Sequence, residues 1–280
     1  MKPKNLKQII LVIAITFLGL IISFSCKEVD ETSNADDNYN KYSATSTGLV
    51  LISGGTFQMG DSAGGGDSDE LPVHSVSVSS FYISDHEVTA AEYKECVDDG
   101  GCTYSGGTGS SYTYGASGKE NHPLNYVSWT ETQSYISWLN GQTSGNYRLC
   151  TEAEWEFAAR AGTTTKYSCG DSDSCLNSVA WWSGNNSPAG TKAVKTKTAN
   201  PWGLYDMHGN VWEWTQDWYH SSYSGAPTDG SAWESPTGSD RVILGGSFID
   251  SASYLRSADR AYGSPGARHS RIGFRLCTVP

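Results

Sequence analysis

Six of the seven cysteines lie beyond residue 95, and their spacing limits the folds that this chain can adopt. Two pairs each enclose a short polar loop, whereas Cys150 and Cys277 stand far apart. An even number of cysteines without Cys-x2-Cys or Cys/His knuckle spacing favours disulfides over a zinc site. Other pairings stay open on spacing alone, but we expect three disulfides: Cys96–Cys102, Cys169–Cys175 and Cys150–Cys277.

The N-terminal segment has the layout of an export signal. Three lysines among the first seven residues precede an apolar run over 9–22, and small residues flank Phe24 directly before Cys26. The run is shorter than the ~20 apolar residues of a membrane span, which favours a cleaved signal over an anchor helix. We therefore expect a signal peptide over 1–25 and lipidation of Cys26, although Ser23 stands where such motifs usually carry Leu. The anchor would hold the protein to a bacterial membrane, which we expect to be the outer membrane at the cell surface.

The residues that follow Cys26 indicate a tether and then one domain. Residues 27–46 are polar and acidic and cannot bury enough surface to fold, so 26–46 is interpreted as a flexible tether and 47–280 as the domain. The net charge of −11 repels phosphate backbones, which argues against a nucleic-acid partner. We expect a monomer whose partner is an extracellular ligand.

Three capping boxes predict helix starts. In each, a Ser or Thr hydroxyl and a Glu three residues later satisfy the free amides of the first turn. The boxes begin at Thr89, Ser128 and Thr151, and glycines near 100, 141 and 162 predict the helix ends. Elsewhere short alternating runs such as 74–79 predict strands, and 31 glycines are spread between them. The sequence therefore predicts an α+β fold with few helices, short antiparallel strands and long irregular loops.

Several segments in a fixed order carry a family resemblance. The chain is similar to the formylglycine-generating-enzyme, or sulfatase-modifying-factor, family, whose domain is a variant of the C-type lectin fold. The matching segments are GGTFQMGD (54–61), SSFYISDHEVTAAEY (79–93), HPLNYVSW (122–129), RLCTEAEWEFAARAG (148–162), NPWGLYDMHGNVWEWTQDWY (200–219), RVILGGSF (241–248) and RIGFRL (271–276).

The central motif of this resemblance suits a calcium ion. Asp206 and Glu213 offer hard oxygen ligands, and Gly209 and Val211 could present backbone carbonyls to the same point. The resemblance implies a calcium site at these four positions, which would be structural. The alternative is that Glu213 caps a turn or pairs with an arginine.

The positions of the family's catalytic cysteines are occupied by other residues. Copper-dependent members need two cysteines after the Gly-Gly-Ser motif, because copper(I) prefers soft thiolate ligands. Aligning that motif at 245–247 brings Asp250 and Leu255 to those positions. Another branch binds iron through three histidines, but the six histidines here form no H-x-x-x-H pair. We therefore expect no catalytic residues and no copper, and the alternative is an enzyme with displaced catalytic residues.

The C-terminal segment, residues 244–277, combines a fixed framework with unusual intervening residues. Between 248 and 277 there is no Lys, Glu, Gln, Met or Trp, although the rest of the chain uses all five. Asparagine codons randomised at adenine never reach those five residue types. The segment thus resembles the variable proteins of diversity-generating retroelements, in particular their treponemal lipoprotein type, and chance in an ordinary family member is the alternative.

This second resemblance predicts a binding surface in the C-terminal segment. Tyrosine gives large contact area at low entropic cost, and small polar residues give adaptable contacts, as in antibody paratopes. A structural lipoprotein of cell-surface machinery is a further alternative. The predicted ligand-binding residues are Ile249, Asp250, Ser253, Tyr254, Asp259, Ala261, Tyr262, Gly263, Ser264, Gly266, Ala267, His269, Ser270 and Arg271.

Overall fold

The computed structural model describes residues 48–280. The predicted signal peptide, the lipidated Cys26 and the tether lie outside the described residues. Within 48–280, none of the helices combines the length and apolar character that crossing a membrane requires.

The three helices predicted from capping boxes are present. In each, the hydroxyl of the N-cap residue accepts a hydrogen bond from the backbone N–H of the glutamate three residues later, and that glutamate accepts one in return. The reciprocal bonds satisfy amides that a helix start would otherwise leave unpaired. The α-helices are α1 (Ala90–Asp98), α2 (Trp129–Gln142), α3 (Glu152–Arg160) and the single turn α4 (Leu176–Val179).

Ten short strands in the described residues form three sheets. They are β1 (Leu49–Ile52), β2 (Gly55–Met59), β3 (His74–Val78), β4 (Phe81–Ser84), β5 (Arg148–Leu149), β6 (Trp212–Trp218), β7 (Arg241–Leu244), β8 (Arg260–Gly263), β9 (Ile272–Phe274) and β10 (Leu276–Thr278). The strand orders are β1-β4-β10-β5, β2-β3 and β8-β7-β6-β9. Only the β6–β9 pair is parallel. The predicted α+β fold class, with short antiparallel strands and long loops, is confirmed.

The sheet order determines the path of the C-terminal segment through the domain. Three of its strands, β8, β9 and β10, pair in two different sheets, so the segment crosses between them instead of continuing as one strand. Between β8 and β9 the chain has to span β7 and β6, and it does so as an exposed loop. Within this loop, the carbonyl of Arg271 accepts a hydrogen bond from the backbone N–H of Trp212 at 2.7 Å, which continues the β6–β9 pairing.

The three disulfides join the cysteines that were expected to pair. Cys96–Cys102 and Cys169–Cys175 each close a loop with a sequence separation of 6, and Cys150–Cys277 spans a separation of 127. The long-range disulfide joins the residue after β5 to β10, which are neighbours in one sheet. It therefore ties the C-terminal strand to the centre of the domain.

Helix α3 lies in the centre of the domain, and all nine of its residues are buried. Its apolar side chains, such as Trp155, join a core with Phe81 and Val242. A second core surrounds α2 and includes Trp214 and Phe274. Burial of α3 includes its charged residues, so those charges need partners from elsewhere in the chain.

Candidate ligand-binding site

Three arginines hold the C-terminal segment to the rest of the domain through buried ion pairs. Arg256 donates to both carboxylate oxygens of Glu70 at 2.6 and 2.7 Å. Arg260 donates to both oxygens of Glu152 on α3 at 2.5 and 3.1 Å. Arg275 donates to both oxygens of Glu213 on β6 at 2.6 Å each.

These pairs are specific in geometry and remote in sequence. Two-point contacts between a guanidinium and a carboxylate orient both groups. Removing one member of a buried pair leaves an uncompensated charge, which is costly. All six side chains are at most 9% exposed, so the arginines fix the backbone of the segment from its inner side.

Half of the predicted ligand-binding residues are exposed to solvent. Ile249, Tyr254 and Tyr262 are 49%, 50% and 55% exposed, respectively, and they are among the six large exposed apolar side chains of the described residues. Small or polar residues are exposed beside them in sequence. We call the exposed members of the predicted set the exposed face: Ile249, Ser253, Tyr254, Tyr262, Ser264, Gly266 and His269.

Two other predicted residues, Asp250 and Arg271, bind each other. Asp250 Oδ1 accepts a hydrogen bond from Arg271 Nη1 at 2.8 Å, while its Oδ2 accepts from Trp212 Nε1 at 2.8 Å and from Ser247 Oγ at 2.6 Å. Both are half-buried. The structure therefore joins two residues that are 21 positions apart into one polar spot. His269 is next to it, and burial and then the charge of Arg271 lower the pKa of that imidazole.

Three predicted residues depart from the expectation of free, outward-facing side chains. Asp259 is only 3% exposed because Arg256, which pairs with Glu70, also binds Asp259 Oδ1 at 2.8 Å. Ala261 is half-buried against the core around α2. A Cβ atom at Gly263 would lie 3.0 Å from the ring of Trp214, so that position has little room for a side chain.

Two neighbouring loops also border the site, and the sequence reasoning missed them. The backbone N–H of Tyr126 donates to the carbonyl of His269 at 3.0 Å, and the ring of Tyr126 stacks on Tyr112 at 3.9 Å. On another side the N–H of Ser183 donates to the carbonyl of Asp250 at 3.1 Å. The tyrosine-rich run before Tyr126 was the available signal, but its contact with His269 depends on tertiary structure.

Glu213, one of the predicted calcium ligands, is engaged by other groups. Besides the two bonds from Arg275, Glu213 Oε2 accepts a hydrogen bond from Trp155 Nε1 at 2.7 Å. The sequence left open whether Glu213 binds calcium, caps a turn or pairs with an arginine. In the structure Glu213 pairs with Arg275. The side chain of Glu213 therefore serves the core whether or not a cation is bound nearby.

Asp206 fits a cation better. Its Oδ2 accepts a hydrogen bond from the backbone N–H of Lys195 at 2.8 Å, while its buried Oδ1 has no hydrogen-bond partner among residues 48–280. Burial raises the pKa of Asp206 to about 6, and burial together with the charges of Asp206 and Glu213 raises that of the fully buried Glu87. Three carboxylates share Arg275 as a positive partner, and Asp206 also experiences the positive charge of His86, so a cation would balance the negative charge that these two groups leave.

The two positions aligned with the catalytic cysteines are built into the scaffold. Leu255 is fully buried, and its carbonyl accepts a hydrogen bond at 2.8 Å from His208 Nδ1. Burial lowers the pKa of His208 to about 4, so this imidazole is neutral and serves as a packing group. All six cysteines within residues 48–280 are in disulfides.

Two known proteins are similar to this chain in sequence. The formylglycine-generating enzyme of Streptomyces coelicolor is 31% identical over 81% of this chain and 88% of its own length. A protein described as serine/threonine-protein kinase pkn1 of Chlamydia pneumoniae is 36% identical over 82% of this chain, which spans only 37% of that relative's length.

Two solved structures are similar over most of their length. PvdO from Pseudomonas aeruginosa has a TM-score of 0.75 and 30% identity and is covered over 94% of its chain. Treponema denticola variable protein 1 has a TM-score of 0.67 and 29% identity and is covered over 95%. Each comparison covers 83% of this chain. Residues 35–279 match the sulfatase-modifying factor enzyme 1-like domain family, and the chain therefore belongs to that family.

Proposed function

We propose that this protein is a non-catalytic display protein whose C-terminal segment, residues 244–277, binds an extracellular ligand, which we expect to be another protein. The observation that carries the proposal is the division of this segment into buried anchoring arginines and an exposed face of tyrosine, serine, glycine, isoleucine and histidine. Such a composition suits protein recognition. Similarity to Treponema denticola variable protein 1 supports the same reading.

The binding proposal is tested with a variant that replaces Ile249, Tyr254, Tyr262 and His269 by serine. A control variant replaces Leu51, Leu71 and Val279 by serine as well. These three side chains are also exposed but lie outside the exposed face. Wild type and control, immobilised and cross-linked in an extract of surface proteins, should capture the same partner, and the face variant should lose it. Equal capture by all three proteins would contradict the proposal.

Diversification of the segment has a separate genomic test. A near-copy of the coding sequence for residues 248–276, differing at adenines and lying beside a reverse transcriptase gene, would establish it. If no such copy exists, the segment is an ordinary binding loop or a structural one.

An oxidoreductase of the formylglycine-generating type is the second candidate, since the family includes such enzymes. Cysteines held in disulfides and a buried Leu255 argue against it, because copper(I) needs thiolates. Incubation with a sulfatase-type cysteine peptide and copper should give no aldehyde product by mass spectrometry. A product whose yield follows enzyme concentration would overturn the non-catalytic proposal.

We further propose that Cys26 carries the lipid that holds the protein to the membrane. The motivation is the basic and apolar leader directly before this cysteine. Cys26→Ala should move the protein from the detergent phase to the aqueous phase in a phase-separation assay, whereas Ser25→Ala should leave partitioning unchanged. If the Cys26 variant partitions like wild type, the protein is held to the membrane by a group other than a lipid on Cys26.

Calcium at Asp206 is proposed as a structural ion. The carboxylate of Asp206 and the carbonyls of Gly209 and Val211 would hold it, and the ion would neutralise the excess charge beside Arg275. Chelator should lower the melting temperature of wild type and added calcium should restore it, by mass action on the folded state. If neither chelator nor calcium changes the melting temperature, no calcium is bound there, and protonation of the carboxylates neutralises the charge instead.

A further inference from the structure

We propose that the loop over 181–197, here called the docking loop, lies on anionic lipid headgroups of the membrane that holds the protein, an inference that rests on the proposed lipid at Cys26. The charge composition around this loop differs from that of the rest of the chain. Between Asp173 and Asp206 there is no acidic residue, although the whole chain has 30, and the same stretch contains three lysines and three tryptophans. Lysine and tryptophan without acids are typical of surfaces at the level of lipid headgroups.

Two lysines of the docking loop stand over one indole ring. Lys197 Nζ lies 4.0 Å from the centroid of the Trp181 ring, and Lys192 Nζ lies 5.8 Å from it. Each ammonium donates to one backbone carbonyl, that of Asn177 at 2.6 Å for Lys197 and that of Pro188 at 3.1 Å for Lys192. An ammonium has three donors, so both lysines keep donors for phosphate oxygens. The ring therefore gathers two cationic groups on one small area of surface.

The third lysine lies where the chain from Cys26 enters the domain. Lys195 Nζ donates to Asp85 Oδ2 at 2.7 Å, and the backbone N–H of Asp85 donates to the carbonyl of Gly48, the first described residue, at 2.9 Å. Cys26 stands 22 residues before Gly48. A flexible chain of that length spans about 25 Å, so a lipid on Cys26 would keep this side of the domain near the membrane.

The acidic groups that approach the three lysines are mostly withdrawn from solvent. The side chain of Asp85 is 14% exposed, and Asp206, whose charge acts on Lys197, is 2% exposed. The neighbouring loop presents the exposed Glu120, but Lys119 stands beside it in sequence. The outward surface of the docking loop therefore carries lysine without an equal number of exposed carboxylates.

The net charge of −11 does not prevent this docking. At physiological ionic strength charges are screened beyond about 8 Å, so an anionic surface acts mainly on the groups that face it closely. The acidic remainder of the domain is repelled, and the docking loop is attracted. A tethered domain is held at high local concentration, so a weak attraction is sufficient to orient it.

Docking would also orient the proposed binding surface. The backbone N–H of Ser183 donates to the carbonyl of Asp250 at 3.1 Å, and Asn186 Nδ2 donates to the carbonyl of Phe248 at 3.1 Å. Ile249, a residue of the exposed face, lies between these two contacts in sequence. The loop that binds the lipid thus holds one end of the exposed face in a fixed position relative to the membrane.

The experiment is lysine footprinting of the lipoprotein in vesicles. Protein purified in detergent is reconstituted into phosphatidylcholine alone or into an equal mixture with phosphatidylglycerol, and is acetylated with an impermeant N-hydroxysuccinimide ester. Mass spectrometry gives the acetylated fraction of each lysine. Lys94 is the internal control for Lys195, because each is ion-paired with an aspartate, at 2.6 and 2.7 Å respectively. The half-buried Lys166 is the control for the half-buried Lys192 and Lys197.

Relative to the controls, acetylation of the three docking-loop lysines should fall at least fivefold in the phosphatidylglycerol vesicles. It should recover in 1 M salt, where the Debye length falls from about 10 Å at 0.1 M to about 3 Å. In a variant with Lys192→Gln and Lys197→Gln, Lys195 should lose its protection, and Lys166→Gln should leave it protected. Equal acetylation in both kinds of vesicle, or equal protection in both, overturns docking on anionic lipid.

Flotation of the same samples separates this proposal from the lipid anchor. Protein that floats with the vesicles but has unprotected docking-loop lysines retains the anchor and overturns the docking. Protein that does not float overturns the anchor, and the docking with it. Protection that needs an extract of surface proteins and occurs without vesicles assigns the loop to a protein partner and also overturns the docking.

Discussion

The C-terminal segment has an inner side, formed by the buried Arg256, Arg260 and Arg275, and an outer side, formed by the exposed face. Residues of the two sides alternate along the chain, but the two sides differ in burial and in the number of contacts they make. On the inner side, arginines reach carboxylates about 60 to 190 positions away and have almost no exposure. On the outer side, tyrosines and small residues make few contacts. Exposed residues on one side of a segment need not stabilise the fold when buried ion pairs with other segments hold its backbone.

Loss of an inner arginine is the single substitution with the largest expected effect on stability. Arg275→Ala leaves the buried Glu213 without its guanidinium, so it should lower the free energy of unfolding by about 3–5 kcal/mol. Arg271→Ala is the matched control, because its pair with Asp250 is 37% exposed on the arginine side and should be worth about 1 kcal/mol or less. Urea denaturation measures both, and similar losses would remove the distinction between the two sides.

Two of the disulfides allow a second test of what holds the C-terminal segment in place. Replacing Cys150 and Cys277 together by serine should lower the free energy of unfolding by about 4–5 kcal/mol in the chain-entropy account, because that disulfide restricts a long loop. Replacing Cys169 and Cys175 should cost about 2–3 kcal/mol, since they close a short loop. Denaturation under non-reducing conditions measures the two losses. The reverse order would mean that native-state packing outweighs loop entropy.

A pH dependence should come from Asp217 on β6, which is buried beside Glu152, the partner of Arg260. Burial and then the charge of Glu152 raise the pKa of Asp217 from 3.8 to about 7, while bonds from two backbone N–H groups oppose the shift. The folded state therefore holds a proton that the unfolded state releases, and this stability is complete below pH 3.8 and lost as the pH rises through 7.

The expected slope between those pH values is at most about 1.4 kcal/mol per pH unit for one proton. Asp217→Asn should flatten it, and the exposed Asp99→Asn should not. Melting temperatures at intervals from pH 4 to pH 8 test this. A wild-type slope that Asp217→Asn leaves intact would assign the pH dependence to other groups.

The smallest effect on stability is expected on the outer side. Replacing Ile249, Tyr254, Tyr262 and His269 by serine should change the free energy of unfolding by less than about 0.5 kcal/mol per position. Gly263→Val should cost more than any of these, because its side chain would meet Trp214. Thermal unfolding of the four single serine variants, the fourfold variant and Gly263→Val measures these effects. If the fourfold variant unfolds, those side chains belong to the core.

Local signals in the sequence were sufficient for the helices and the disulfides. Capping boxes at Thr89, Ser128 and Thr151 identified all three long helices, because hydrogen bonds within four residues determine a helix start. Cysteine spacing favoured the three pairs observed. The ordered motifs identified the family, because a string of short segments in fixed order is specific even where each segment is not.

Tertiary structure decided which residues of the C-terminal segment face solvent. Asp259 and Tyr262 look equally variable in sequence, yet Asp259 is buried because Arg256 and Glu70 meet there, and Tyr262 is exposed on an edge strand. The pairing of Glu70 with Arg256 and the burial of Glu87 beside Asp206 gave no sequence signal, since these partners are more than 100 residues away. Sequence reports local hydrogen bonding and periodicity, whereas the burial of a charge is a property of whichever distant segments surround it.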